Sequence, residues 1–173
     1  SCPVGEVEPA RDAQALFLAD GVEVVATRLD VGAEAVRRFE AALSDTERQR
    51  ANRFAFDRDR CRFIVARARL RELLAARLGG RPESVELMYG ARGKPAIAPG
   101  SADLDLRFNV SHTDDIAVYA FATGREIGID IEAIRAVPDA DDIAARLFSR
   151  LENEAYLALD PCDRPLGFFN CWT

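Results

Sequence analysis

The sequence has 173 residues and a net charge of -6, with 49% hydrophobic and 30% charged residues. This composition is typical of a folded globular protein and excludes a disordered chain. No apolar run approaches the roughly 20 residues that a membrane-spanning helix needs. The four cysteines, Cys2, Cys61, Cys162 and Cys171, form no CxxC pair. Their spacing favours free thiols, a cytoplasmic protein and no cysteine metal site.

Charge is unevenly distributed along the chain. Between Arg48 and Arg81, eleven arginines face three acids, whereas from Ser101 onwards fourteen acids face six arginines. A basic block of this kind could bind a polyanion such as a nucleic acid. Only three phenylalanines accompany these arginines to stack on bases, and a charged helix face is more often simply solvated. Nucleic-acid binding therefore ranks below the alternatives that follow.

The sequence of the first part of the chain, up to Leu78, predicts a strand and three helices. Alternating apolar residues indicate a strand over Val22–Leu29, and an apolar stripe indicates a helix over Ala33–Leu43. The sequence SDTE, Ser44–Glu47, is a capping box that begins a second helix. A third helix is predicted over Asp57–Leu78, ended by a Gly-Gly pair. Its apolar stripe consists of Phe63, Ala66, Leu70, Leu73 and Leu74.

The second part predicts a mixture of strands and helices. A strand over Ser84–Tyr89 precedes the loop GARGKPAIAPG, and a helix follows later over Asp139–Leu147. SRLE, Ser149–Glu152, is a second capping box that begins another helix. Three short strands are predicted between that loop and those helices. They are RFNVSH (Arg107–His112), IAVYAFA (Ile116–Ala122) and EIGIDIE (Glu126–Glu132).

Two carboxylates stand two residues apart in GIDIE, the last of these predicted strands. Because side chains alternate between the faces of a strand, Asp130 and Glu132 are expected to point to the same side. Two carboxylates side by side repel each other, and burying them unpaired is costly. A positive group such as a metal ion is one solution. An exposed edge strand whose acids face water is the other.

Five motifs in order carry a resemblance to a known family. The chain resembles a 4′-phosphopantetheinyl transferase of the surfactin-synthetase-activating type, and Arg53–Gly79 matches the long basic helix of that family. The resemblance implies an α+β fold of two similar α/β halves. Residues 1–115 would form the first half with the nucleotide-binding loop, and residues 116–173 the start of the second half with the metal-binding strand. The motifs are GKP (Gly93–Pro95), FNVSH (Phe108–His112), GIDIE (Gly128–Glu132), FSRLE (Phe148–Glu152) and FFNCWT (Phe168–Thr173).

The resemblance also implies a reaction and a set of site residues. The reaction is Mg²⁺-dependent transfer of 4′-phosphopantetheine from coenzyme A to a serine of an acyl or peptidyl carrier protein, in fatty-acid, polyketide or nonribosomal peptide biosynthesis. Asp130 and Glu132 would hold the metal, because Mg²⁺ prefers oxygen ligands and takes one or two protein carboxylates. The residues expected to bind coenzyme A are Arg50, Arg92, Lys94, Pro95, Ser111 and His112.

Plainer explanations exist for several of these residues. His112 is the only histidine, and a lone histidine at a strand end is more often structural. Lys94, the only lysine, would ordinarily be a surface residue in a turn. Asn109 is expected to organise the neighbouring loop. Glu152 is a weak catalytic candidate, because its capping-box position already explains a glutamate.

The last motif of the family continues past Trp-Thr into Lys-Glu-Ala, whereas this sequence ends at Thr173. The expectation is therefore an incomplete second half with little or no transfer activity. A noncatalytic coenzyme A-binding or interaction remnant is the alternative. Apolar residues of FFNCWT and of the 139–147 helix would lack part of their usual packing partners. We therefore expect a homo-oligomer rather than a monomer.

Overall fold

The computed structural model describes residues 13–90, 93–100 and 105–173, which form two compact units. One unit extends to Ile129, and the other comprises Asp130–Thr173. The mixed α and β class predicted from the sequence is confirmed. In chain order the elements are β1 (Ala13–Ala19), β2 (Val22–Arg28), α1 (Ala33–Ala41), α2 (Asp45–Ala51), α3 (Asp57–Leu78), a 3-10 turn (Pro82–Ser84), β3 (Leu87–Tyr89), β4 (Pro95–Ile97), β5 (Leu106–Thr113), β6 (Ile116–Thr123), α4 (Ala140–Leu147), α5 (Arg150–Leu157) and α6 (Arg164–Trp172).

An antiparallel sheet of order β1-β2-β6-β5 forms one layer of the first unit. β1 and β2 are joined by Asp20-Gly21, whose φ angles of 52° and 72° suit a type I′ hairpin turn. β6 pairs with β2 on one side and with β5 on the other. β5 therefore lies at an edge of this sheet.

α3 packs across the sheet and carries the core of the first unit. Ile64, Val65 and Leu74 are buried together with Tyr119 and Phe121 of β6. The Tyr119 hydroxyl donates to the Ala66 carbonyl at 2.9 Å, which fastens the helix to the strand. The sequence placed both ends of α3 correctly.

The predicted apolar stripe of α3 is wrong in part. Phe63, Ala66 and Leu73 are only half-buried, whereas Ile64 and Val65 are fully buried. The buried face is broad because α3 contacts α1, α2 and the 3-10 turn as well as Tyr119 of the sheet. A single apolar stripe is expected for a helix that packs against one neighbour. A helix with several neighbours buries residues on more of its surface.

Two strand predictions need correction. The predicted loop GARGKPAIAPG contains β4, which pairs with β3 in a small separate sheet; Pro95 opens that strand, a position where proline is tolerated. EIGIDIE forms no strand, since residues 126–137 have neither helix nor strand structure. A strand needs a backbone partner, and the Ile127 carbonyl instead accepts the side-chain amide of Asn109 at 3.2 Å.

The second unit consists of three short helices around an aromatic cluster. Ala144, Tyr156, Phe168 and Phe169 are buried there. The Tyr156 hydroxyl donates to Asp141 at 2.7 Å, and the Phe168 and Trp172 rings stack at 5.7 Å between centroids. The aromatic residues of FFNCWT thus lie on α6 and supply much of this core.

Two predictions, about membrane-spanning helices and about the cysteines, can be compared with the structure over the described residues only. None of the helices described there is long and apolar enough to cross a membrane. Cys61, Cys162 and Cys171 are free thiols, as predicted. Cys2 lies outside the described residues.

Candidate functional site

A cleft of about 470 Å³ in the first unit is lined by residues of α3, β4 and β5 and by the segment around α2. Three of the predicted coenzyme A-binding residues, Arg50, Pro95 and His112, line it together. Arg62 and Arg67 of α3 line it as well. The cleft thus collects residues that are far apart in sequence, and three arginines are among them. We call it the central cleft.

Ser111 and His112, the last two residues of the FNVSH motif, lie on opposite faces of β5. His112 pairs with Ala117 of β6, and Ser111 pairs with Val118. Strand alternation places His112 on the same side as Val110, and both line the central cleft. Ser111 is consequently directed to the other face, the side of Asn109. The structure brings His112 to the cleft without bringing Ser111 there.

Lys94 lies in the turn between β3 and β4. Gly90 N donates to Lys94 O at 3.0 Å, and Gly93 N donates to Gly90 O at 2.8 Å. Gly93 has a φ of 73°, a conformation that favours glycine. The exposed Lys94 borders a recess of about 260 Å³ that shares Pro95 with the central cleft. Arg92, the remaining predicted residue of this turn, lies outside the described residues.

Glu47 is the centre of a buried ionic cluster beside the central cleft. It caps α2 as predicted, with Oε2 accepting from Ser44 N at 2.9 Å. The same side chain, only 1% exposed, accepts from Arg71 Nε at 2.7 Å and from the Tyr89 hydroxyl at 3.1 Å. Burial alone would raise the pKa of Glu47, but these hydrogen bonds and the nearby guanidinium groups hold it below its usual value. Glu47 is therefore a carboxylate at neutral pH.

Arg67 lies between this cluster and the central cleft. Its side chain is 11% exposed, and its Nε is 3.7 Å from Glu47 Oε1. Its guanidinium lies over the rings of Phe63 and Tyr89, at 5.7 and 5.5 Å from their centroids. Burial lowers the pKa of Arg67, with the nearby Tyr89 hydroxyl and Glu47 carboxylate acting in the opposite direction. The group nevertheless remains a cation at neutral pH, because the ordinary pKa of arginine lies far above neutrality.

Arg62, the other α3 arginine of the cleft, is fully engaged. Its Nε and Nη2 donate to the two oxygens of Asp30 at 2.7 and 2.8 Å, a bidentate pair. This hydrogen-bonded pair raises the pKa of Arg62 and lowers the pKa of Asp30. This arginine therefore has little capacity left for a ligand.

Asp130 and Glu132 lie in the second unit, in the segment without helix or strand structure. Asp130 is exposed and Glu132 is half-buried. Two carboxylates with this short spacing are a donor set that suits Mg²⁺, which takes one or two protein carboxylates and completes its shell with water and phosphate. Over the described residues, no group of three or more His, Cys, Asp or Glu side chains converges on one point. The carboxylates match the oxygen ligands that Mg²⁺ prefers, but residues 126–137 do not form the strand expected to align them, and the metal assignment stays a prediction.

Glu152 occupies the cap of α5. Its Oε2 accepts from Ser149 N at 2.8 Å, and its own N donates to Ser149 Oγ at 3.3 Å. Hydrogen bonds from the Ser149 side chain and backbone lower the pKa of Glu152. A carboxylate held in its ionised form by a helix cap is a weak proton acceptor, so the capping role explains this residue.

Arg67 as a cleft residue and the burial of Glu47 are not predicted from the sequence. An indication of the first was present, because Arg67 stands four residues after Phe63 and three before Leu70, inside the predicted apolar stripe. A charged residue at such a position requires a buried partner or a ligand. The sequence contains no comparable sign that Glu47 is buried, because the capping box already explains a glutamate at this position.

A family profile described as "4'-phosphopantetheinyl transferase, N-terminal" matches residues 33–124, more than half of the sequence. The chain belongs to the 4′-phosphopantetheinyl transferase family. The matched span contains α1 to α3 and β3 to β6. It therefore includes the described residues that line the central cleft, apart from Leu29.

Three relatives of this family illustrate the similarity. The 4'-phosphopantetheinyl transferase HetI of Nostoc sp. is 36% identical over 157 residues, covering 91% of this chain and 66% of HetI. The 4'-phosphopantetheinyl transferase of Bacillus subtilis is 32% identical over 136 residues, covering 79% and 58%. The 4'-phosphopantetheinyl transferase AcpT of Escherichia coli is 38% identical over 104 residues, covering 60% and 50%. The chain thus spans between half and two thirds of the length of these relatives.

Proposed function

We propose that the chain binds coenzyme A in the central cleft and takes part in transferring its 4′-phosphopantetheine arm to a serine of an acyl or peptidyl carrier protein. In this proposal the chain is a holo-carrier-protein synthase of the surfactin-synthetase-activating type. Its fold would consist of two similar α/β halves, and its location would be the cytoplasm. The observation that carries the proposal is the convergence of Arg50, Pro95 and His112 on one cleft in a member of this family.

The residues have distinct parts in this proposal. Arg50 and His112 line the cleft and would donate hydrogen bonds to phosphate oxygens. Lys94 would place a compact positive charge at the neighbouring recess, and Pro95 would position the turn beside the nucleotide. Ser111 and Arg92 belong to the predicted set, and their roles stay predictions.

Mg²⁺ is part of the proposal, with Asp130 and Glu132 as its protein ligands. The ion would neutralise charge on the pyrophosphate of coenzyme A when bound. The carboxylates of this chain would hold it through oxygen atoms, the ligand type that Mg²⁺ prefers. Removing both charges with Asp130→Asn and Glu132→Gln should abolish the effect of Mg²⁺ on coenzyme A binding while leaving metal-free binding unchanged.

Calorimetry with coenzyme A and dephospho-coenzyme A tests the nucleotide site. Hydrogen bonds to charged groups contribute about 1.5–3 kcal/mol, so losing the 3′-phosphate should weaken binding roughly 10- to 100-fold. Equal affinity for the two compounds, or none for either, would contradict the assignment of the cleft.

Mass spectrometry of an apo carrier protein incubated with coenzyme A, Mg²⁺ and the chain tests transfer itself. A mass increase on the carrier serine supports a transferase. Coenzyme A binding without any mass increase supports the second candidate, a noncatalytic coenzyme A-binding module. That outcome would leave the cleft assignment intact and remove the enzymatic part of the proposal.

The structure offers little support for nucleic-acid binding by the basic helix. Each of the seven arginines of α3 has a carboxylate within 4.0 Å, and most of these partners lie on other elements. The basic block therefore largely compensates acids of the same chain. A salt titration of binding to random DNA and to coenzyme A would separate the two ligands, since phosphate-backbone binding falls steeply with salt.

A further inference from the structure

Side chains, and not a strand ladder, attach the segment that follows β6 to the rest of the first unit. Residues 125–127 have neither helix nor strand structure, yet each of them has a hydrogen bond to a residue outside the segment. These bonds join Arg125 to the Asp20 carbonyl, Arg107 to Glu126 at 3.0 Å, and Asn109 to the Ile127 carbonyl at 3.2 Å. The position of this segment therefore depends on a few side-chain contacts.

Asn109 differs from the other two attachments in what it binds. Arg125 and Glu126 are held through the ends of their own side chains, in bonds that are exposed to solvent. The Asn109 amide instead donates directly to the backbone of the segment, in a bond that is partly buried. The same amide nitrogen lies 3.9 Å from the point that a Cβ on Gly128 would occupy. Asn109 thus lies against two consecutive residues of the segment and restrains its backbone.

This restraint acts close in sequence to the two carboxylates proposed to hold Mg²⁺. Asp130 follows Ile127 by three residues, which span at most about 11 Å of chain. A segment without a ladder has to lose conformational freedom when its side chains bind an ion, and this loss weakens binding. A hydrogen bond that already restrains the backbone before the ion arrives reduces that loss. Residues that orient metal ligands without touching the metal affect metal affinity for this reason.

We propose that Asn109 is a positioning residue for the metal ligands, because its amide fixes the backbone at Ile127 and so prepares Asp130 and Glu132 for Mg²⁺. The inference rests on the proposed metal role of these two carboxylates and adds the residue that orders the segment before them. Asn109 has no contact with the ion in this assignment. An amide suits the task, since it donates to a carbonyl without bringing a positive charge near a cation.

Calorimetry of coenzyme A binding over a series of Mg²⁺ concentrations tests the proposal. Wild type should bind coenzyme A more tightly as Mg²⁺ increases. Asn109→Leu keeps the approximate shape of the side chain and removes the donor. It should need roughly 10-fold more Mg²⁺ for half of that gain, the lower end of the effect of residues that orient metal ligands. Its metal-free affinity for coenzyme A should stay within about twofold of wild type.

Arg107→Leu is the matched control. Arg107 lies two residues before Asn109 on the same face of β5, and it also holds the segment, through Glu126. The two side chains of this pair are 48% and 77% exposed, and exposed ion pairs contribute little. Arg107→Leu should therefore shift the Mg²⁺ requirement less than about threefold.

The outcomes separate this inference from the proposed function. A wild type whose coenzyme A affinity does not respond to Mg²⁺ overturns the metal assignment, and the inference with it. A response that survives in the double variant Asp130→Asn, Glu132→Gln does the same. If the double variant abolishes the response, an unshifted Mg²⁺ requirement in Asn109→Leu, or an equal shift in Arg107→Leu, overturns the role of Asn109 alone.

Folding of the variants is monitored by thermal unfolding without ligand, where Asn109→Leu should stay within about 4 °C of wild type. If that variant is unfolded, hydrogen exchange of wild type measured by NMR replaces it. The side-chain amide protons of Asn109 should exchange more slowly than those of the exposed Asn52, whose amide oxygen accepts from Arg60. Slow exchange should be present before Mg²⁺ and coenzyme A are added. Exchange as fast as that of Asn52, or exchange that becomes slow only after their addition, overturns the proposal.

Discussion

Replacing Glu47 by glutamine should be among the most damaging single changes of a polar residue in the first unit. The substitution keeps the shape but removes the carboxylate that pairs with Arg71 at 2.7 Å and lies 3.7 Å from Arg67. The Arg71 side chain is 4% exposed and also donates to the carbonyls of Pro82 and Val85. It would therefore remain buried as an uncompensated charge. Removing one partner of a buried ion pair lowers the free energy of unfolding by about 3–5 kcal/mol. Solvent does not screen this pair appreciably, because both side chains are buried.

Asp45→Asn is the matched control for Glu47→Gln. Both acids stand in the first turn of α2, so both changes remove one negative charge from the same helix N-terminus. Asp45 is 90% exposed and pairs with Arg48 at 3.2 Å on the surface. Exposed pairs contribute about 0.2–1 kcal/mol, so Asp45→Asn should cost no more than that.

Urea unfolding at pH 7 measures both variants. Glu47→Gln should shift the midpoint with an unchanged slope m, and the extrapolated free energies should differ by several kcal/mol between the two variants. Equal losses for Glu47→Gln and Asp45→Asn, or a loss below about 1 kcal/mol for Glu47→Gln, would refute the view that the buried cluster holds the unit together.

The same variant has a definite pH dependence. The folded pKa of Glu47 lies below its ordinary 4.5, so its ionised form stabilises the fold at every pH above that value. The contribution is lost as pH falls through the folded pKa. The difference in unfolding free energy between wild type and Glu47→Gln should be constant above about pH 5 and shrink below it. A difference that grows on acidification would have the wrong sign.

Three further predictions concern other parts of the chain. Tyr119→Phe should lower the unfolding free energy by about 1 kcal/mol, because it removes the hydrogen bond to the Ala66 carbonyl; a loss near zero in urea unfolding would contradict the attachment of α3 to β6 through this group. Ser149→Ala should raise the pKa of Glu152, which Ser149 lowers; an NMR titration showing the same pKa in both proteins would exclude the cap as the cause. The expected self-association stays a prediction, encouraged by the exposure of Leu147, Leu151 and Trp172, and light scattering that shows a monodisperse monomer at micromolar concentration would contradict it.

Helix caps and helix ends were predicted correctly, because interactions between residues close in sequence determine them. The capping boxes at Ser44 and Ser149 each form both reciprocal hydrogen bonds, and Gly79 ends α3 with a φ of 71°. These features depend on a few consecutive residues, so the sequence alone predicts them. The β1–β2 hairpin belongs to the same class but was overlooked, although Asp20-Gly21 is a strong hairpin turn pair.

The strand and site predictions failed where the structure depends on contacts with residues that are distant in sequence. Ile129 and Ile131 alternate with acids as a strand would, yet residues 126–137 form none, because strand structure requires a hydrogen-bonded neighbour. Ser111 and His112 are adjacent in sequence, and β5 nonetheless directs them to opposite faces. The environment of Arg67 depends on the position of Glu47, whose carboxylate also accepts from three other donors. That information lies in tertiary packing and not in any motif.

The distribution of partners, more than the number of arginines, determines what the basic helix can bind. Most arginines of α3 are held by acids on other elements, as Arg60 is by Glu40 at 2.6 Å and Arg77 by Glu23 at 2.6 Å. These pairs attach the helix to α1 and to the sheet, and their charge is largely cancelled. Arg67 differs because its nearest carboxylate is already shared with Arg71. A helix that appears in the sequence as a general polyanion site therefore offers one localised, desolvated cation beside the cleft.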